Sequence, residues 1–237
     1  MSHIGVITTG DTLGFGVLRW LFALRTRVDN GTATFFDVLP SSRSFPMFEK
    51  ASWLNQPRHW SREGERLKVR TDTSTDFWRE THYGFVRDNG HFLFVETDGD
   101  FTAQVKIHSE FTHLYDQAGL MVRVDEAHWV KVGAELSDGV TLLSSVLTDG
   151  VSDWATGVFP GDPEAFWIRV TVAKGVLRVQ VSVDGASWPL VRLAPFPVAQ
   201  SYQVGPYCCT PERGGLEVEF SELWVGAPNG KSLHDLS

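Results

Sequence analysis

From Met47 to Val225 apolar and polar residues alternate with a period of two, the pattern of antiparallel strands buried on one face. In DFTAQVKIH, Phe101, Ala103, Val105 and Ile107 share one face, while Thr102, Gln104, Lys106 and His108 share the other. In VLRVQVSVDG, Leu177, Val179, Val181 and Val183 point inward, with Arg178, Gln180 and Ser182 outward. In LEVEF, Leu216, Val218 and Phe220 alternate with Glu217 and Glu219. Further strands are expected over RLKVRT, HFLFVE, AGLMVRVD, HWVKVGAE, VTLLSSVLT, FWIRVTVA and YQVGPYCC. Turn pairs punctuate them: Asn89-Gly90, Asp98-Gly99, Asp138-Gly139, Asp149-Gly150, Asp184-Gly185 and Gly214-Gly215. So many short strands, with no sustained helical pattern after Met47, predict an all-β fold. The count favours a two-sheet antiparallel jelly-roll sandwich over an immunoglobulin sandwich, which needs only about 100 residues.

Before Met47 no period is sustained. Leu18, Leu21 and Phe22 fall at helical spacing, TATFF reads as a strand, and PSSRSFP (40–46) reads as a linker. The expected organisation is an extension over 1–46, a sandwich over 47–226 and a tail over 227–237.

Three strands carry an unusual second face. In HWVKVGAE, Val130, Val132 and Ala134 suit a core, leaving Trp129, Lys131, Gly133 and Glu135 opposite. In AGLMVRVD the residues left over are Gly119, Met121 and Arg123; in FWIRVTV they are Trp167, Arg169 and Thr171. Aromatic, cationic and small residues on a face that should be bland suggest the wall of a concave groove, with apolar rings and a few placed polar groups. The competing reading puts Trp129 and Trp167 beneath a loop or beneath residues 1–46 as ordinary buried aromatics. DFWRETHYG (76–84) precedes the turn at Asn89-Gly90. Trp78, Arg79, His82 and Tyr83 there either wall the groove or form a hydrogen-bonded corner.

The runs WLNQP (53–57), TDFWRETHYGFVRDNGHFLF (75–94), DFTAQVKI (100–107), YDQAGLMVRVDEAHWVKVGAE (115–135), SDWA (152–155) and VGPYCCTPE (204–212) resemble the regulation-of-enolase-1 protein family, over about 47–225. The resemblance implies a concanavalin A-like lectin/glucanase sandwich, in agreement with the alternation. It implies no established catalytic activity, and the family name points to an effect on enolase. Asp116, Gln117 and Trp154, from the YDQ and SDWA runs, join Trp78, Arg79, His82, Tyr83, Arg123, Trp129, Lys131, Glu135 and Arg169 as the expected ligand-binding set.

Composition narrows the partners. The 237 residues carry a formal charge of −8, which gives no general footprint for nucleic acid or an anionic membrane. The apolar run LGFGVLRWLFAL (13–24) is far shorter than the ~20 residues a spanning helix needs. The only cysteines, Cys208 and Cys209, are adjacent and point to opposite faces of a strand, so they are expected to be reduced thiols of a cytoplasmic protein.

Catalytic patterns are thin. Glucanases of the fold use E-x-D-x-x-E; here EVEFSE (217–222) has Glu at the middle position, on the last strand. Glu135 and Asp116 are the acids better suited to a groove. His82, His91 and Asp88 match no zinc spacing, and Asp98, Asp100, Asp149 and Asp153 read as turn residues before they read as a calcium site. No cofactor is expected. The sequence thus points to a non-catalytic module binding a carbohydrate-like or other polyhydroxylated ligand. A glycoside-processing enzyme using groove carboxylates, and a protein-interaction module regulating a metabolic enzyme, are the alternatives.

Overall fold

The computed structural model describes residues 47–237. The helix, strand and linker expected before Met47, and the extension itself, lie outside the described residues. A 3-10 turn (Met47–Lys50) leads into the strands β1 (Ser52–Leu54), β2 (His59–Glu63), β3 (Arg66–Arg70), β4 (Phe77–Arg79), β5 (Val86–Asp88), β6 (His91–Asp98), β7 (Phe101–Ser109) and β8 (Gln117–Arg123). There follow β9 (His128–Ser137), β10 (Val140–Asp149), β11 (Val151–Val158), β12 (Ala165–Ala173), β13 (Val176–Ser182), β14 (Leu190–Pro195), β15 (Ser201–Cys209) and β16 (Glu217–Gly226).

They form the expected antiparallel sandwich. The first sheet runs β1-β6-β15-β8-β9-β10-β11, the second β14-β13-β12-β7-β16-β3-β2, and β4-β5 pair as a separate hairpin. The alternation explains the main core: Phe101, Val105, Ile107, Ile168, Val179 and Phe220 of the second sheet meet Leu120, Val122, Val130, Val132 and Val204 of the first. Each is nearly inaccessible to water. Turn chemistry fixes the registers. At the β9–β10 turn both Asp138 (φ 54°) and Gly139 (φ 81°) are left-handed, as a two-residue primed turn requires. Val183, expected on the inner face, lies beyond the end of β13 and is exposed, because the chain is already entering the Asp184-Gly185 turn.

Strand β8 is buried along its whole length and β9 nearly so, which one sandwich core cannot do. Their outer faces hold a second apolar cluster: Met121, Trp129, Val146, Tyr207 and Cys209, with Phe92, roofed by Phe77 and Trp78 of β4. The second sheet is covered differently. The tail over 227–237 lies against it: Arg178 donates to the carbonyls of Lys231, Leu233 and Asp235, and the Trp188 amide donates to the Leu236 carbonyl.

Candidate functional site

The outer face of the first sheet carries a compact polar centre. Met121, Lys131, Val146 and Trp154 stand in one cross-strand row, and Glu135 faces Gln117 two same-face rows along. Lys131 and Glu135 point the same way because they lie four positions, an even number, apart on one strand. Gly133 lies between them opposite Gly119, and a Cβ on either glycine would collide with the neighbouring strand's backbone. The strands can therefore approach closely only with glycine at both positions.

Lys131 is 3% exposed, and its ammonium donates to Gln117 Oε1 at 2.7 Å and to Asp76 Oδ1 at 3.1 Å. Burial, the largest single influence, acts to lower its pKa, but the charge and hydrogen bond of Asp76, together with Cys209 and Glu135, outweigh it and raise the pKa. Glu135 has the opposite balance. Burial pushes its carboxyl above the usual range, although the neighbouring ammonium of Lys131 and the hydroxyl of Ser144, which donates to Oε2, both act to lower it. Trp154 Nε1 donates to the same Ser144 oxygen at 3.0 Å, so ring, hydroxyl and carboxyl form a chain. Asp76 is positioned by the loop: its Oδ1 accepts the Phe77 amide, and its own amide donates to Asn89 Oδ1.

Above this centre opens a cavity of about 210 Å³. Six residues of the expected set line it: Trp78, Tyr83, Gln117, Lys131, Glu135 and Trp154. Six more were not anticipated as lining: Asp76, Phe85, Tyr115, Val146, Pro211 and Glu212. The aromatic walls are mutually steep. Trp78 and Trp154 cross at 89°, Tyr115 and Trp154 at 74°, and Trp78 and Tyr83 at 72°. Tyr83 and Tyr115 meet across the mouth, hydroxyl to hydroxyl at 3.4 Å, and that contact with burial pushes the Tyr115 pKa up to about 12. Tyr115 holds a left-handed backbone (φ 61°), unusual for a bulky residue.

The other half of the expected set sits elsewhere. Trp129 does not line the cavity: it is 1% exposed, packed edge-on against Phe77, and its Nε1 donates to the Glu126 carbonyl. The loop-covered reading of that ring is the one the structure has. Arg123 is engaged by both carboxylate oxygens of Asp88 at 2.7 and 2.9 Å, an ion pair that ties β5 to the sheet. Arg79 is anchored by the carbonyl of Gly150, and His82 is exposed at the hairpin tip against Tyr83. Asp116 is fully buried, accepting the amides of Thr112 and His113 and pairing with Arg213. Arg169 and Trp167 have the expected parity but belong to β12 in the second sheet, so they cannot share a groove with Lys131. Arg169 stacks 3.6 Å from the Trp188 ring centroid, and Trp167 donates to Glu222 beneath the ammonium of Lys106.

His91 and Glu219 have structural partners. His91 accepts the Asp72 amide at Nε2 and contacts the Asn55 carbonyl through Nδ1, an arrangement that fixes one neutral tautomer. Glu219 of β16 pairs with Arg66 and Lys68, outside the second sheet. A wider groove on that side is lined by charges of both signs, among them Arg58, Lys68 and Glu217. Among the described residues no helix is long and apolar enough to cross a membrane.

Residues 53–228 match the family described as protein of unknown function (DUF1349). The Saccharomyces cerevisiae protein "Regulation of enolase protein 1" is 60% identical over 188 residues, covering 79% of this chain and 95% of its own length. A crystal structure of a functionally unknown protein from Saccharomyces cerevisiae superposes with a TM-score of 0.76 at 58% identity, covering 77% of this chain and 99% of that one. The family resemblance read from the sequence is thereby borne out. More distant structures share the fold. The Bacteroides ovatus protein described as xyloglucan PUL GH43B gives a TM-score of 0.59 at 14% identity, over 76% of this chain and 37% of that one. The GH43 BlXynB protein of Bacillus licheniformis gives 0.57 at 14% identity, over 83% and 42%.

Proposed function

The chain belongs to the DUF1349 family, and from that premise we propose that it is a non-catalytic module binding one small polyhydroxylated, carbohydrate-like ligand in the cavity above Lys131. One observation carries the reading: a buried ammonium held by Asp76 and Gln117, with Glu135 beside it, at the floor of an aromatic-walled opening. Placed donors and acceptors under apolar walls suit a ligand that presents hydroxyls at its edge and C–H groups on its faces. The volume, below the roughly 300–1,000 Å³ of drug-sized pockets, suits a single ring rather than a polymer. Glycoside cleavage needs a pair of acids free to reach the bond, whereas Asp76 is tied to Lys131 and Glu135 to Ser144, which leaves Glu212 alone and supports binding over hydrolysis.

Saturation-transfer NMR against monosaccharides and polyols tests the reading. Wild type should show ligand signals, and Trp154→Ala should weaken binding at least about tenfold while shifting stability by only about 1 kcal/mol, since Trp154 is half-buried. Silence from every monosaccharide and polyol with a folded protein would overturn it. A second reading, a protein-interaction module acting on a metabolic enzyme, is favoured by the name of the yeast relative and by the exposed Tyr83, Phe85, Val86 and Leu114. Titrating purified enolase with this protein, and following enolase turnover, tests it; unchanged turnover at saturating protein retires it.

A further inference from the structure

The charge of the cavity limits what it can take. Three carboxyl groups, those of Asp76, Glu135 and Glu212, line it with a single ammonium, that of Lys131. Two of that ammonium's three donors already serve Asp76 and Gln117, and its charge is balanced by Asp76. It is therefore a poor anchor for an incoming anion, which would also meet the carboxyl groups. Glu212, exposed at the rim, has no ion-pair partner among the described residues.

The rings add a second, independent constraint. A flat sugar stacks best on a single platform. Here the successive pairs Tyr83–Trp78, Trp78–Trp154 and Trp154–Tyr115 stand at 72°, 89° and 74°, so no two of these neighbours make one flat platform. Rings on several sides turn several quadrupoles toward one point, which favours a compact cation. Phe85 is stacked on Tyr83 and extends the wall. The outer side of Phe85 already carries the guanidinium of Arg87, 5.1 Å from the centroid, so this wall holds a cation on the solvent side as well.

We propose that the cavity selects a hydroxylated ammonium, a ligand of amino-sugar size whose cationic nitrogen enters among the aromatic walls while its hydroxyls reach Gln117, Glu135 and Asp76. The inference rests on the binding function proposed above and adds the sign of the ligand's charge. Glu212 attracts the cation from the rim, and the formal charge of −8 on the whole chain favours its approach.

A matched trio separates the two claims. Glucosamine, glucose and glucuronate share size and hydroxyls but differ in charge; choline supplies the ammonium with one hydroxyl. Calorimetry near pH 6 keeps the glucosamine amine protonated, below the ~8 typical of such amines. Glucosamine should bind at least about tenfold more tightly than glucose, with glucuronate weakest. Glu212→Gln, a change at an exposed position, should reduce the glucosamine preference about fivefold, the size of one charge pair ~4 Å apart in water. Glucose binding as tightly as glucosamine would overturn the charge selection and leave the polyhydroxylated ligand standing. Choline binding with none of the three sugars would support the cation and overturn the polyhydroxylated ligand. Silence from all four would overturn both.

Discussion

Two residues show how burial divides structural from binding roles on one face. Trp129 and Trp154 both look outward from the first sheet, yet Trp129 is 1% exposed beneath Phe77 whereas Trp154 stays half open at the cavity. Trp129→Ala would delete an indole from a filled site and should cost about 3–5 kcal/mol in urea unfolding. A loss near ~1 kcal/mol would mean the second cluster is not packed as described. Glu135 makes the pH prediction. Its carboxyl holds a proton more tightly in the folded chain than unfolded, because burial raises its pKa. The native state therefore binds more protons above the unfolded value of ~4.3, and this group's contribution to stability falls as pH rises through the folded value. Lys131 adds no slope in that range: its raised pKa keeps its contribution complete below ~10.4. Glu135→Gln should remove the falling component, so that the difference in urea midpoint between wild type and variant changes as pH rises above ~4.3. A difference that stays constant above that pH would mean that burial does not raise the Glu135 pKa.

At the scale of elements, the β4-β5 hairpin converts an outer sheet face into a cavity floor. It is fastened at its base, where the Asp76 carbonyl accepts the amides of Asn89 and Gly90 and Asp88 grips Arg123, and toward its tip, where Arg79 donates to the Gly150 carbonyl. Gly90 is the tight point, since a Cβ there would strike the ring of Phe77. Gly90→Ala should cost about 1–3 kcal/mol by overpacking and loosen the roof, seen as a lower thermal midpoint; an unchanged midpoint would show that Phe77 has room to move. This hairpin is what the sequence concealed. Alternation revealed β7, β12 and β16 because each has one wet or lightly covered face, and β13 because its covered outer face still carries the polar Arg178, Gln180 and Ser182. It also gave the correct parity for Trp129, Lys131, Glu135 and Arg169. Parity says which residues share a face of one strand, and nothing about what lies on top or which sheet the strand joins. Strand order follows from long-range pairing, so Arg169 was grouped with Lys131 although β12 lies between β7 and β13. Trp129 was read as a groove residue because its cover, a three-residue strand pair rich in turns, has too short a period to register. Asp76 and Tyr115 escaped for a related reason. Both lie off the periodic strands, and the left-handed backbone of Tyr115 leaves no mark in residue type.

For the molecule as a whole, the first sheet separates two apolar clusters of unequal size, and the adjacent cysteines sample one each. Cys208 belongs to the large core between the sheets, Cys209 to the smaller cluster under the hairpin, with its thiol 3.9 Å from Asp76 Oδ1. Both are buried, and burial pushes both thiols well above their usual pKa, so neither should react with a thiol reagent in the native state. Their exposure routes differ. Freeing Cys208 requires the two sheets to part. Freeing Cys209 requires only the β4-β5 hairpin and its few contacts to lift, an opening of lower free energy than global unfolding. Labelling of Cys208→Ala and Cys209→Ala variants in rising, sub-denaturing urea should resolve the two. The chain retaining Cys209 should label faster, with a weak urea dependence. The chain retaining Cys208 should label only along the global unfolding curve, with the full urea dependence. Equal rates with equal urea dependence would mean that the hairpin, the cavity and the sandwich open as a single cooperative unit. A faster Cys209 would identify the wall that carries Trp78, Tyr83 and Phe85 as the part of the molecule free to adjust around a ligand.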